Sequence, residues 1–189
     1  MQTLGLSPST PRTESRLKSL FWPTIANEGD VDYLTQQGFW ICFIIAAITL
    51  PIGLLSGNPL ATVFEAIFFF LAGIGIRQRS RAAAVSAFTA YLLVSMVIQK
   101  YTGNGFGIVR IIFLAMLLAN IRGMWLSAQW PKSETGPELP RLNQTIGDKL
   151  SDSMPTFLWP KVKLIFYLFA ALELIWLLYA LFAPVVRAI

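Results

Sequence analysis

The sequence predicts an all-α integral membrane protein: a bundle of five transmembrane helices, N-terminus in the cytoplasm and C-terminus outside. Three observations carry this. Five apolar stretches recur along the chain, each close to the ~20 residues a helix needs to cross the hydrocarbon layer. The composition is 55% hydrophobic, with a mean hydropathy of +0.60. The arginines and lysines also sort onto one side once all five stretches cross. The stretches are continuously apolar instead of alternating, which favours helices over a barrel.

In order, the expected spans are residues 38–55, 60–76, 82–98, 106–125 and 162–186. The chain then divides into a cytoplasmic segment with an interfacial helix (1–37), the first four helices (38–126), a cytoplasmic loop (127–161), and the fifth helix with a short outer tail (162–189). With the N-terminus inside, Arg12, Arg16, Lys18, Arg77, Arg79 and Arg81 lie on the cytoplasmic side. So do Arg122, Lys132, Arg141, Lys149, Lys161 and Lys163. Only Lys100 and Arg187 fall outside, and Arg110 lies within a span. This is positive-inside sorting, and it survives only if every stretch crosses. It accounts for the net charge of +5 without a nucleic-acid partner. The expected location is an inner (plasma) membrane of bacterial type.

The first apolar run begins near residue 38 after a polar stretch, so the first span is expected to serve as an uncleaved anchor. Before it, Thr10-Pro11 offers an N-cap and a first-turn proline. Leu17, Leu20, Phe21 and Trp22 form an apolar stripe opposite Arg16 and Lys18, the pattern of a helix lying on the membrane. The acidic residues Glu28, Asp30 and Asp32 are expected in water. In the second connection Leu142, Ile146, Leu150 and Met154 recur every four residues, which predicts one short amphipathic helix. Trp22, Trp40, Trp125, Trp130 and Trp159 all fall at the cytoplasmic interface, as an aromatic belt does. The outer connections, around Ser56-Gly57-Asn58-Pro59 and Thr102–Gly107, read as turns. The sequon Asn143-Gln144-Thr145 lies in a loop assigned to the cytoplasm and is discounted for glycosylation.

Within the spans, Ala83, Ala87 and Ala90, and again Ala115, Ala119 and Gly123, form small-residue stripes where helices can approach closely. Three ionisable residues are embedded: Glu65, Arg110 and Glu173. Such residues are costly in lipid and mark candidate sites. Glu65 and Arg110 sit at similar depth in the outer half, so an ion pair between the second and fourth helices is expected. Glu173 is near the middle of the fifth helix, on a face with Ala170, Leu177 and Ala180, and no cation shares its depth. Two readings compete: a neutral Glu173 hydrogen-bonded to Asn120, a backbone carbonyl or water, or a group that gives and takes a proton during transport. Contact with a bound lipid, pigment or neighbouring subunit is a third.

The chain has no histidine, which removes histidine-ligated haem and zinc and Ser-His hydrolysis. Its single cysteine, Cys42, lies in the first span and forms no internal disulfide. No nucleophile–base constellation is visible, so no enzyme activity, catalytic residue, metal or cofactor is expected. The expected partners are the lipid bilayer and other membrane subunits or a second copy of the chain; no ion or small-molecule substrate is named. The function expected first is that of an accessory subunit of a membrane complex. The alternative is a small proton-coupled transporter or channel that uses an intramembrane carboxylate.

Overall fold

The computed structural model describes residues 15, 18, 21–25, 28–55, 59–103, 105–129 and 146–184. They form five helices: α1 (Glu28–Leu55), α2 (Pro59–Arg77), α3 (Arg81–Thr102), α4 (Ile108–Ser127) and α5 (Ile146–Phe182). No strand occurs among the described residues. All five helices are long and apolar enough to cross a membrane. The Thr10-Pro11 cap with Leu17 and Leu20, the Ser56-Gly57-Asn58 turn, Asn104, Trp130, Leu142, the sequon and Arg187 lie outside the described residues.

The helices close into a ring in the order α1, α2, α5, α3, α4, with α2 and α3 also touching across it. Helix α2 is therefore the enclosed one and α5 the most peripheral: 56% of the apolar window is buried in α2 and 22% in α5. Large side chains of α5 such as Leu164, Leu168, Ile175 and Phe182 point outward, as suits a helix with lipid as its neighbour. The small-residue stripes are used inside this ring. Ala83, Ala87 and Ala90 are fully buried on α3. On α4, a methyl added at Gly123 would stand 2.8 Å from Leu34 of α1. Close approach of backbones is what holds helices together where apolar burial gives no advantage over lipid.

Local chemistry sets the ends. Ser80 N-caps α3, its Oγ accepting from the Ala83 N–H, and Gly103 ends it in the left-handed region at φ 70°. Between α2 and α3 the chain reverses in a tight turn, Arg79 taking φ 57° while the Ser80 N–H donates to the Gly75 carbonyl at 2.9 Å.

Two helices extend past the apolar runs. Helix α1 starts at Glu28 instead of residue 38, so Glu28 and Asp30 occupy its first turn, where carboxylates favour the positive end of the helix dipole. Asp30 is buried there, not in water. Helix α5 begins at Ile146 and runs through Pro155 and Pro160, so the amphipathic stretch and the fifth span are one helix. A proline inside a helix leaves the carbonyl four residues earlier without its donor. For Pro155 that carbonyl is Ser151's, and the Arg77 Nε–H donates to it at 3.2 Å.

Arg77 is the hub of the end where α1 and α5 begin and α2 stops, called here the basic end. Its guanidinium pairs with the carboxylates of Asp32 and Asp152. It also donates to the Asp32 carbonyl at 3.2 Å and to Thr35 Oγ1 at 2.9 Å. Nearby, Arg122 donates to the Pro23 carbonyl at 2.9 Å and stacks over Trp22. At the opposite end Lys100 donates to the last carbonyls of α5, those of Ala180 and Leu181 at 3.2 and 2.8 Å and that of Ala183. Those carbonyls have no donor within their own helix.

Candidate functional site: a carboxyl pair between α2 and α5

The buried residues of α5 past its second proline are Phe166, Ala170, Glu173 and Leu177. Steps of four, three and four residues put them on one stripe of a helix. Glu173 thus occupies a core position in an otherwise apolar seam and is 3% exposed. The antiparallel partner is α2. Phe64 stacks on Phe169 with ring centroids 4.5 Å apart and planes 9° apart, and Phe68 stacks on Phe166 at 5.8 Å. Helix α2 also carries the half-buried Glu65, one residue to the basic-end side of Phe64, so Glu65 and Glu173 lie about 7 Å apart along the helix axes. Among the described residues neither carboxyl makes a hydrogen bond or an ion pair.

Sequence depth placed two of these groups with other partners, and the structure corrects both. No ion pair joins Glu65 to Arg110 among the described residues. In the ring α4 packs on α1 and α3, so equal depth does not bring Arg110 to α2. Arg110 lines a shallow hollow of about 420 Å³ with Ile98, Thr102, Gly105 and Gly107. Nor does Asn120 meet Glu173. Asn120 is buried against α1, where its Nδ2 donates to the Leu34 carbonyl and its Oδ1 has no hydrogen-bond partner. A side chain at Gly38 is excluded there, because its Cβ would lie 2.3 Å from Asn120 Nδ2.

Two features escaped the sequence reading. Arg77 was counted only as a flanking charge, although Asp32 and Asp152 are both positioned to receive it. Trp159, assigned to an interfacial belt, is buried between helices at 7% exposure. Its spacing of seven residues from Phe166 was the available signal.

Two carboxyl groups sharing an apolar site repel when both are charged, and a proton or other cation between them removes the repulsion. Calcium takes about six or more oxygens, more than this pair supplies. No cluster of three or more His, Cys, Asp or Glu side chains occurs among the described residues. The arrangement is suited to holding one proton.

An unpartnered carboxyl in an apolar seam also opposes stability, because a largely buried polar group without a partner carries much of its desolvation penalty. Glu173→Met is therefore expected to stabilise the protein by about 1–3 kcal/mol. Unfolding of the purified protein in detergent would show this directly. A loss of stability would mean that the carboxyl is a structural hydrogen-bonding group.

Fold and site together define a small polytopic helical membrane protein with a carboxyl pair in its interior. No protein-family model, curated protein or solved structure matches the chain.

Proposed function

We propose that the chain is a small proton-coupled transporter or channel in which Glu65 and Glu173 take up and release a proton. The observation that carries this reading is Glu173 itself, buried in an apolar seam against the helix that carries Glu65 and without an ion-pair partner among the described residues. Intramembrane ionisable groups are expensive and are kept where ions or protons move. Other titratable groups on the helices packed against α5 have contacts of their own: Arg77 and Tyr101 bond to the two ends of α5, and Arg81 lies over Trp125. Tyr91 of α3 packs its ring against Phe69 and Phe113, and Lys100 is bound to the end of α5.

The other expected class, an accessory subunit, draws less support from this geometry. The small-residue stripes that suggested helix partners are filled from within the chain. The basic end is placed in the cytoplasm of a plasma membrane, on the strength of the positive-inside sorting.

The test uses the purified chain reconstituted into vesicles with an internal pH indicator and an imposed pH gradient. The wild type is expected to pass protons, and Glu173→Gln and Glu65→Gln each to abolish that flux while folding normally. Flux that survives either substitution overturns the assignment of the pair. A wild type that carries no flux and purifies with a stoichiometric membrane partner establishes the accessory reading instead.

A further inference from the structure

Glu173 is walled unequally on its two sides. Toward the basic end the seam is filled by three tiers of rings: Phe64 on Phe169, Phe68 on Phe166, and Trp159 at 5.4 Å from Phe166. Phe68 and Phe166 are fully buried. Trp159 is wedged where α2 and α3 meet, so tightly that a Cβ on Gly75 would lie 2.5 Å from its ring. From Phe169 to Trp159 this plug spans about 15 Å along α5.

Toward the other end there is far less. One turn beyond Glu173 on the same stripe comes Leu177, 6% exposed. After it come Ala180 and Leu181, whose carbonyls are held by the Lys100 ammonium. That ammonium lies about two helical turns, on the order of 10 Å, from the carboxyl. A cation at a helix C-terminus is favoured by the helix dipole and supplies donors that the last carbonyls otherwise lack. Lys100 therefore fastens the last turns of α5 to α3, and Leu177 is the side chain those turns carry over Glu173.

We propose that Glu173 exchanges its proton with the Lys100 end alone, through a gate formed by Leu177 and latched by Lys100 on the terminal carbonyls of α5. The inference rests on reading Glu173 as a proton-exchange site. The proton passes between water at that end and a carboxylate oxygen of Glu173; no other bond is made or broken. Opening this side moves Leu177, with the partly buried Leu181 beyond it, and frays one helix end. Opening the other requires three tiers of packed rings to part.

The experiment measures access and not transport, so its failure and failure of the transport reading are distinguishable. The full chain is placed in vesicles whose orientation is read with a membrane-impermeant maleimide on Thr102→Cys or Gln129→Cys, both exposed positions at opposite ends. A water-soluble carbodiimide with an amine nucleophile is then added outside, and amide formation at Glu173 is followed by mass spectrometry. Labelling is expected from the Lys100 end and not from the basic end. Lys100→Met and Leu177→Ala are each expected to speed it several-fold, whereas Phe166→Leu leaves the rate from the Lys100 end unchanged. Labelling that is equal or faster from the basic end, no labelling from either end, or rates indifferent to both gate substitutions would overturn the proposal. Labelling from the Lys100 end in vesicles without proton flux would retain the gate and discard the transporter.

Discussion

Arg77→Met is expected to destabilise the protein by about 3 kcal/mol, because it strips the partner from several buried polar groups at once. The Arg77 side chain is 7% exposed, while those of Asp32 and Asp152 are 22% and 34% exposed. The aspartates keep some water, which sets the expected loss at the low end for a broken buried pair. The carbonyl of Ser151 keeps none of its helical donors, since Pro155 has no N–H to offer it. One planar guanidinium serves α1, α2 and α5 together, through Asp32, Thr35, Ser151 and Asp152. Lysine carries the charge but not the fork of donors, so Arg77→Lys is expected to recover less than half of the loss. Asp152→Asn, at the wettest of the contacts, is expected to cost about 1 kcal/mol. Denaturant unfolding in detergent micelles measures all three. An Arg77→Met protein that unfolds like the wild type would show that the clamp contributes nothing net.

That clamp also shows what a sequence of this kind makes legible and what it hides. The middle spans were read almost to their ends: residues 60–76 against α2, Pro59–Arg77, and 106–125 against α4, Ile108–Ser127. An apolar run reports where lipid must be, and lipid sets those lengths. The same signal fails where a helix leaves the lipid, because α1 from Glu28 and α5 from Ile146 continue as polar helix. There Arg77 donates to Asp32 and to the proline-orphaned Ser151 carbonyl, the latter a contact between residues 74 positions apart.

The candidate site divides in the same way. That Glu173 shares a stripe with Ala170 and Leu177 follows from the helical period alone. Its neighbour does not. Depth along the membrane normal is one coordinate, and it aligned Glu65 with Arg110 and Asn120 with Glu173. The missing coordinate is the order of helices around the ring, which places α5 beside α2 and α4 beside α1. Ring order is decided by side-chain shape, as where Gly38 admits Asn120 and Gly75 admits Trp159.

Gly75→Ala is expected to destabilise the bundle by about 1–3 kcal/mol, the range for a methyl forced into a packed interior, and also to breach the aromatic plug. The added Cβ would lie 2.5 Å from the far edge of the Trp159 ring and 2.6 Å from the Ala83 Cβ. Neither neighbour can yield alone. The ring is backed by Phe166 at 5.4 Å, and the Ala83 methyl is fixed to the α3 backbone. That backbone is tied to Gly75 in turn, through the Ser80 N–H on the Gly75 carbonyl and the Ser80 cap on Ala83. The strain is relieved only if α3 and α5 move away from α2 together, which separates the rings between the basic end and Glu173. Carbodiimide labelling of Glu173 should then appear from the basic end, where none is expected of the wild type. Trp159→Phe added to Gly75→Ala shortens the ring that the methyl strikes, and should restore both stability and one-sided labelling in part. If Gly75→Ala unfolds at the wild-type denaturant concentration and labels only from the Lys100 end, the three-helix junction is looser than its contacts imply. The seal on Glu173 would then have to lie in the Phe64–Phe169 and Phe68–Phe166 stacks alone.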